Sequence, residues 1–309
     1  MVTWIKDPAV VWTGNKERAS RGVLVSGGRI LELVDEFPRV EYDEVFDASG
    51  LVLIPGLINC HHHFYQTLTR ALPAALNKEL FPWLASLYPV WSKLTDESVR
   101  ASTRTAVCEL LLSGCTTTVD HHYVFSKALS RAIDVQAEEI KSLGIRAILT
   151  RGSMSLSEEN GGLPPSNVVQ TEDVILKDSE RLIDQWHDRS EGAMLQIALA
   201  PCSPFSVTEE LMSASAQLAR EKKVLLHTHL AETSDENSFC ENLYGCRPLD
   251  YLEKVGWLSS YVWLAHGIHF SSEEIQRLGR SKTGIWHCPA SAMTLASGFC
   301  PVEEFRAAG

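Results

Sequence analysis

The stretch PGLINCHHHFYQTLTRALP, residues 55–73, decides how the rest of the chain is read. It overlaps an apolar run, Leu51 to Ile58, that breaks off at Asn59-Cys60-His61-His62-His63. Apolar residues that stop abruptly at imidazoles read as a buried strand delivering ligands at its tip. Strand side chains alternate faces, so His61 and His63 point one way and His62 the other. Two imidazoles on one face make half a site for a divalent metal. The competing reading is a histidine cluster that simply caps a strand in solvent. The remainder of the chain has to separate the two.

Downstream, strand and helix signals alternate. A helix is expected over 95–113, with Thr95 as cap and Asp96 and Glu97 at its positive end. Val99, Ala106, Val107, Leu110 and Leu111 form its apolar stripe, and Gly114 stops it. Further strands are expected at 116–120, 145–150, 194–200, 224–229, 262–265 and 283–287. Helices are expected at 128–143, 172–187, 208–221, 248–255 and 272–279. The loop 152–168, with Gly161-Gly162 and Pro164-Pro165, is long enough to suggest a functional role. With 51–58 this pattern implies a parallel sheet, either doubly wound or closed as a (β/α)8 barrel. In a barrel, residues that do chemistry gather just past the strand C-termini. His61, His62 and His63, His121 and His122, His227 and His229, His266 and His269, and His287 all fall at such ends. Of the eleven histidines only His187 lies on an expected helix away from them. Chance scatter does not concentrate them so, and the barrel is the reading adopted. No GxGxxG or GxxxxGK[ST] motif supports a nucleotide-phosphate site.

Upstream, residues 1–50 carry short β-rich runs, Ala9–Trp12 and Gly22–Val25. Gly27-Gly28 then leads into Arg29–Val34, a hairpin signal. This segment reads as part of a small β-structure without a core of its own. The expected organisation is therefore 1–50 as the N-terminal part of a small β-sandwich and 51–309 as the barrel.

The composition narrows the partners. A hydrophobic fraction of 45% and a charged fraction of 22% are ordinary for a globular chain. The net charge of -11 argues against nucleic acid or an anionic membrane surface as partner. It leaves open a nucleobase, which carries no phosphate. No signal peptide and no membrane span are expected. The eight cysteines are scattered without a CxxC pair, which suits a reduced cytoplasmic protein. Cys108 and Cys115 read as small buried hydrophobes.

The chemistry follows from three distant segments. His229 ends a strand, and its imidazole would complete a three-nitrogen metal site with His61 and His63. Glu232, three residues on, would face the metal without binding it, as suits a proton carrier. A bound metal can lower the pKa of water from about 15.7 toward about 7. His266, one strand further, could hydrogen-bond the attacking oxygen or the developing tetrahedral centre. For each residue alone the bland reading is a hydrogen-bonded core histidine or a solvated glutamate; for the set together it is improbable.

PGLINCHHHFYQ, HTHLAET, WLAHG and WHCP resemble the amidohydrolase superfamily, in its branch of purine and triazine hydrolases. The longer stretches LLLSGCTTTVDHHYVF, RGSMSLSEENGGLPP, LAPCSPFSVT and HTHLAETSDENSFC extend the resemblance over nearly the whole chain from about residue 50. It implies a distorted (β/α)8 TIM-like barrel with a small β-sandwich, and one divalent metal, zinc ahead of iron. His61, His63 and His229 would be ligands, Glu232 would move protons, and His266 would hold the reacting oxygen. Gln66 and Trp83 would line the substrate pocket, with core packing an equal reading of Trp83. Cys202 and Ser203 would face the substrate, with a plain turn as the equal alternative. His121, His122 and Arg151 are read as rim residues without a direct role. The implied reaction is hydrolytic deamination of a purine-like small molecule, 8-oxoguanine foremost, giving urate and ammonia in purine metabolism. A triazine hydrolase or another aminohydrolase, and an inactive metal-binding fragment, are the alternatives. Association into a homo-oligomer is also expected.

The sequence departs from the family pattern in places. Gly267 and Ala292 stand where relatives usually carry Cys and Asn. The resemblance also leads one to expect an eighth strand ending in an Asp that binds metal and activates water. No acidic residue after His287 sits at a strand end, because Glu303 and Glu304 read as the start of a helix. The expectation is of a fragment truncated before strand eight.

Overall fold

Pro55 and Gly56 split the run that reads as one strand. In the computed structural model, which describes residues 1–309, Val52–Leu53 and Leu57–Asn59 are separate short strands. Proline cannot donate a ladder hydrogen bond and glycine adds no packing, so the ladder breaks there. The expected buried strand is thereby corrected: Leu51, Val52, Ile54, Leu57 and Ile58 are all exposed.

The chain forms two compact units, Met1–Leu57 and Ile58–Gly309, against an expected boundary after residue 50. The first contains β1 (Thr3–Lys6), β2 (Val10–Val11), β3 (Gly22–Ser26), β4 (Arg29–Val34), β5 (Glu44–Asp47) and β6 (Val52–Leu53). Its main sheet runs β4-β3-β1-β5, and β2 pairs with β6. The Gly27-Gly28 turn closes the expected β3–β4 hairpin. Trp4, Leu24 and Val34 form a small core of this unit, contrary to the expectation of none.

The second unit alternates strands and helices. In order come β7 (Leu57–Asn59, starting at the boundary), α1 (Leu80–Trp91), α2 (Asp96–Leu112), β8 (Cys115–His122), α3 (Ala132–Leu143) and β9 (Arg146–Ser153). Then follow α4 (Glu172–Trp186), β10 (Leu195–Pro201), α5 (Glu209–Lys222), β11 (Leu226–Leu230), α6 (Ser234–Tyr244) and α7 (Pro248–Lys254). The unit finishes with β12 (Val262–His266), α8 (Ser272–Ser281), β13 (Gly284–Trp286), α9 (Pro289–Leu295) and α10 (Val302–Ala308). The seven strands lie side by side in chain order, β7 to β13, and the registers from β8 through β13 are parallel. Sequential parallel neighbours, each followed by helix, bring every strand C-terminus to one rim. The registers align those ends: His121 sits beside Thr150, His227 beside Trp263 and Leu230 beside His266. Gly152 allows close approach of β9 to β8, since a Cβ there would collide with the His122 carbonyl.

Local signals place the helices. Thr95 caps α2 in a capping box with Ser98, and Ser271 caps α8 in one with Glu274. Gly144, at φ 77°, ends α3 in the left-handed region. Val99, Ala106 and Val107 are buried as expected, but Leu111 and Cys108 are exposed and only Cys115 is buried. The stripe on α2 therefore ends a turn earlier than the periodicity implies. Three helices lack a sequence expectation. Pro89 inside α1 masks it, α6 buries only Glu236 and Cys240 and so shows no apolar stripe, and α9 is a short segment of seven residues.

Candidate metal centre

The loop after β7 is held from below. The His61 amide donates to the Asn59 side-chain oxygen at 3.2 Å. Asp120, fully buried on β8, accepts from the Phe64 amide at 2.5 Å and from the Gln136 side chain at 2.6 Å. Burial pushes the Asp120 carboxyl up to about 7, against the pull of those two donors. The His121 amide donates to the His62 carbonyl at 2.7 Å. Thus β8 anchors the middle and the C-terminal side of the triple-histidine turn, and Asn59 its start. Sequence reasoning placed Asp120 only at a strand end; an acid inside a β-branched run was the available signal.

Hydrogen bonds assign the tautomers, because a carbonyl can only accept. His63 Nδ1 donates to the His121 carbonyl at 2.6 Å, and His229 Nδ1 donates to the Cys202 carbonyl at 2.7 Å. Each ring therefore keeps a lone pair on Nε2, and these two nitrogens face each other 3.2 Å apart. Two lone pairs cannot hydrogen-bond. Burial, reinforced by neighbouring imidazoles, holds His61 and His63 well below the ordinary histidine range, and burial lowers His229 to about 4. Protonation thus offers no relief near neutral pH, whereas a cation between the rings does. Nitrogens bound at 2.0–2.1 Å in a tetrahedron stand about 3.3–3.4 Å apart, so the observed spacing fits. Side-chain donor atoms of His61, His63, His121 and His229 all lie within 4.8 Å of one another.

His121 is the residue that sequence reasoning set aside. It is fully buried and its ring stacks on His229, with centroids 4.6 Å apart. Its Nε2 donates to the Ala200 carbonyl at 2.9 Å, which leaves an unpartnered lone pair on Nδ1. It thus faces the cluster instead of the rim. His62 stays outside, packed on Phe64. His122 bonds the Val124 carbonyl and His269 the Ser297 carbonyl, both in structural roles. Arg151 is buried over the Phe125 ring and paired with Asp178 at 2.6 Å.

Glu232 follows Ala231, whose φ is 54°, a left-handed kink that turns the chain off the end of β11. Its amide donates to Glu236 Oε2 at 2.9 Å. Burial, and then the charge of Glu236, push the Glu232 carboxyl up to about 8, opposed by a hydrogen bond from Ser291. Glu232 is therefore mostly a neutral acid at pH 7. His266 Nε2 lies 3.3 Å from Glu232 Oε2, and the His266 ring stacks on His229 at 5.4 Å between centroids. Donor atoms of His61, His266 and Cys288 form a second convergent group, but burial pushes the Cys288 thiol up to about 12, unsuited to a thiolate ligand. Neither group contains a carboxylate.

A cavity of about 830 Å³ opens on these residues. His61, His63, His229, Glu232 and His266 share its wall with Gln66, Trp83 and Cys202. Trp83 also packs against the core, edge-on to Trp91. Gln66 points its amide toward the hydroxyls of Tyr65 and Tyr123, 3.4 Å from each. Cys202 contributes its carbonyl to His229, a role its thiol does not suggest. Ser203 does not reach the cavity; its hydroxyl pairs with Ser206 at 2.7 Å, and the turn reading is the one observed. No helix is long and apolar enough to cross a membrane.

Comparison with known proteins follows the same lines. Residues 52–309 match the amidohydrolase family. The chain is 57% identical, over 99% of its own length and 69% of the other's, to an 8-oxoguanine deaminase of Pseudomonas aeruginosa. It is 32% identical to an isoxanthopterin deaminase from an unknown prokaryotic organism, over 99% of this chain and 66% of that one. A crystal structure of the atrazine chlorohydrolase TrzN from Arthrobacter aurescens TC1, complexed with zinc, superimposes with a TM-score of 0.90 at 30% identity. That match covers 100% of this chain and 70% of TrzN.

Proposed function

Because the chain belongs to the amidohydrolase family, we propose that it acts in metal-dependent hydrolytic deamination of a purine-like base, 8-oxoguanine first, yielding urate and ammonia. The observation that carries this reading is the pair of opposed imidazole lone pairs beside a buried neutral acid. The substrate follows the 57% identity to an 8-oxoguanine deaminase. In this reading the curled parallel sheet is the wall of a (β/α)8-type barrel, and the N-terminal strands belong to a small β-sandwich.

His61, His63 and His229 would hold one divalent ion, zinc by analogy with the zinc complex of the chlorohydrolase, and His121 Nδ1 stands close enough to join them. When bound, the ion supplies Lewis acidity that brings the pKa of a water from about 15.7 toward about 7. The work of the chain's own residues is distinct. Glu232 gives its proton to the ring nitrogen next to the amino-bearing carbon, which makes that carbon electrophilic. Its carboxylate then takes a proton from the adding water and passes it to the amino group. The C–N bond breaks with loss of ammonia, and the hydroxyl left on the carbon returns a proton to Glu232 as the C=O forms. His266 holds Glu232 through the 3.3 Å contact and, from its place over His229, steadies the oxygen that adds to the ring. Trp83 provides an aromatic wall for a flat heterocycle, and Gln66 an amide to pair with its polar edge.

The test is ammonia release by the zinc-loaded protein across 8-oxoguanine, guanine, isoxanthopterin and a hydroxylated aminotriazine. Highest kcat/KM on 8-oxoguanine is expected. Preference for the triazine would move the assignment to the branch of the chlorohydrolase. Bound zinc with no turnover on any of the four would refute the catalytic reading.

A further inference from the structure

His227 is a histidine that the proposed reaction does not use. It lies two residues before His229 on β11, on the same face, and is fully buried. Its Nδ1 donates to the Trp263 carbonyl at 2.9 Å, and its ring lies flat on the Trp263 indole, 4.4 Å between centroids and 13° from parallel. That bond leaves a lone pair on His227 Nε2. The only polar group at that nitrogen is His61 Nδ1, 2.8 Å away. His227 must accept there, so His61 must donate. The proton on His61 is thereby held on Nδ1, and its Nε2 lone pair is turned to the cluster with those of His63 and His229. Both nitrogens of His227 are spent in this relay, so His227 is not itself a ligand.

Resting on the metal reading above, we propose that His227 is a positioning residue that fixes the tautomer and direction of His61. Ligand histidines generally donate their second N–H to a carboxylate or a carbonyl. His63 and His229 do so through backbone carbonyls. His61 follows β7, where no carbonyl meets its ring, and an imidazole from the opposite side of the sheet order takes that place. The chain Trp263 carbonyl, His227, His61 transmits a fixed backbone orientation to a ring on the turn after β7. Without the acceptor, His61 could carry its proton on Nε2 and present N–H where the site needs a lone pair. Loss of such a partner costs about 10–100-fold in metal affinity.

The experiment measures zinc affinity of the whole chain by competition with a chromophoric chelator, for the native protein, His227→Leu and His227→Gln. Thermal unfolding of each metal-free protein is followed in parallel. Leucine fills the space but accepts nothing; the glutamine amide oxygen can accept from His61. The expected result is a loss of about 10–100-fold for the leucine variant and recovery by glutamine to within about threefold of native. Native-like affinity in the leucine variant, or no recovery with glutamine, overturns the inference and leaves the metal reading intact. A native chain that binds no zinc overturns the metal reading itself. The ¹⁵N imidazole spectrum of the metal-free native chain needs no variant: His61 protonated on Nδ1 is expected, and protonation on Nε2 refutes the relay.

Discussion

Glu232 has two oxygens in a buried setting and one nearby imidazole, so its protonation state governs what it can do. With its carboxyl raised to about 8, the acid form prevails at neutral pH. Activity that depends on this proton should fall as pH rises through about 8, and the pH–rate profile of kcat/KM checks it. The same shift acts on stability. An unfolded glutamate ionises near 4.5, whereas the buried one does not until about 8. The native state is therefore favoured fully below about 4.5 and loses this contribution as pH climbs to about 8. Glu232→Gln should flatten that part of the stability curve and lower turnover by about 10²–10⁴, with zinc content unchanged. Retained turnover in the glutamine variant would remove Glu232 from the mechanism. At this scale His61, His63, His229, Glu232 and His266 were legible because their types and order are informative. The place of His121 was not, since two adjacent histidines on one strand give no sign of which faces the cluster.

Elements carry the clustered histidines, and their anchoring sets how well these are held. The turn after β7 hangs on Asp120 of β8 through the Phe64 amide, while Gln136 of α3 supports Asp120. Asp120→Ala leaves a buried N–H and a side-chain amide without partners and should cost about 3 kcal/mol together with zinc affinity. Asp120→Asn should be mild. Its oxygen still accepts from Phe64, and a flipped Gln136 offers Oε1, which has no partner in the native protein. Chemical denaturation and chelator titration of both variants distinguish the two effects. Equal losses in both would mean that the negative charge matters, not the acceptors. In α2, Thr95→Ala should cost about 1 kcal/mol, read as a lower denaturation midpoint with the site unaffected. Caps, glycine stops and strand order were legible at this scale. The hidden elements were those whose sequence breaks its own period: α1 through Pro89, α6 through its polar composition, and the first strand through Pro55-Gly56.

Across the whole molecule, the site joins residues that are far apart in the chain: the turn after β7, β8, β11 and the end of β12. A cation that bridges them binds the folded state alone, so its removal should destabilise the protein. Zinc at about 100 times its dissociation constant should add about 2.7 kcal/mol of stability, equivalent to a rise in Tm of several degrees. Scanning calorimetry with and without chelator checks this. Reversal on zinc addition is part of the expected outcome, and an unchanged Tm would speak against a cation linking these strands.

Alternation of strands and helices, with histidines at successive strand ends, is a property of chain order. Sequence alone therefore determined the parallel sheet, the rim and the identity of five of the residues that meet there. Direction is not a property of chain order. Which nitrogen of each imidazole holds its proton depends on the carbonyl opposite it: that of His121 for His63, of Cys202 for His229, and of Trp263, through His227, for His61. Those partners come from other strands brought together by folding, neighbouring ones for His63 and His229 and the non-adjacent β11 for His61, and only the tertiary structure could decide them.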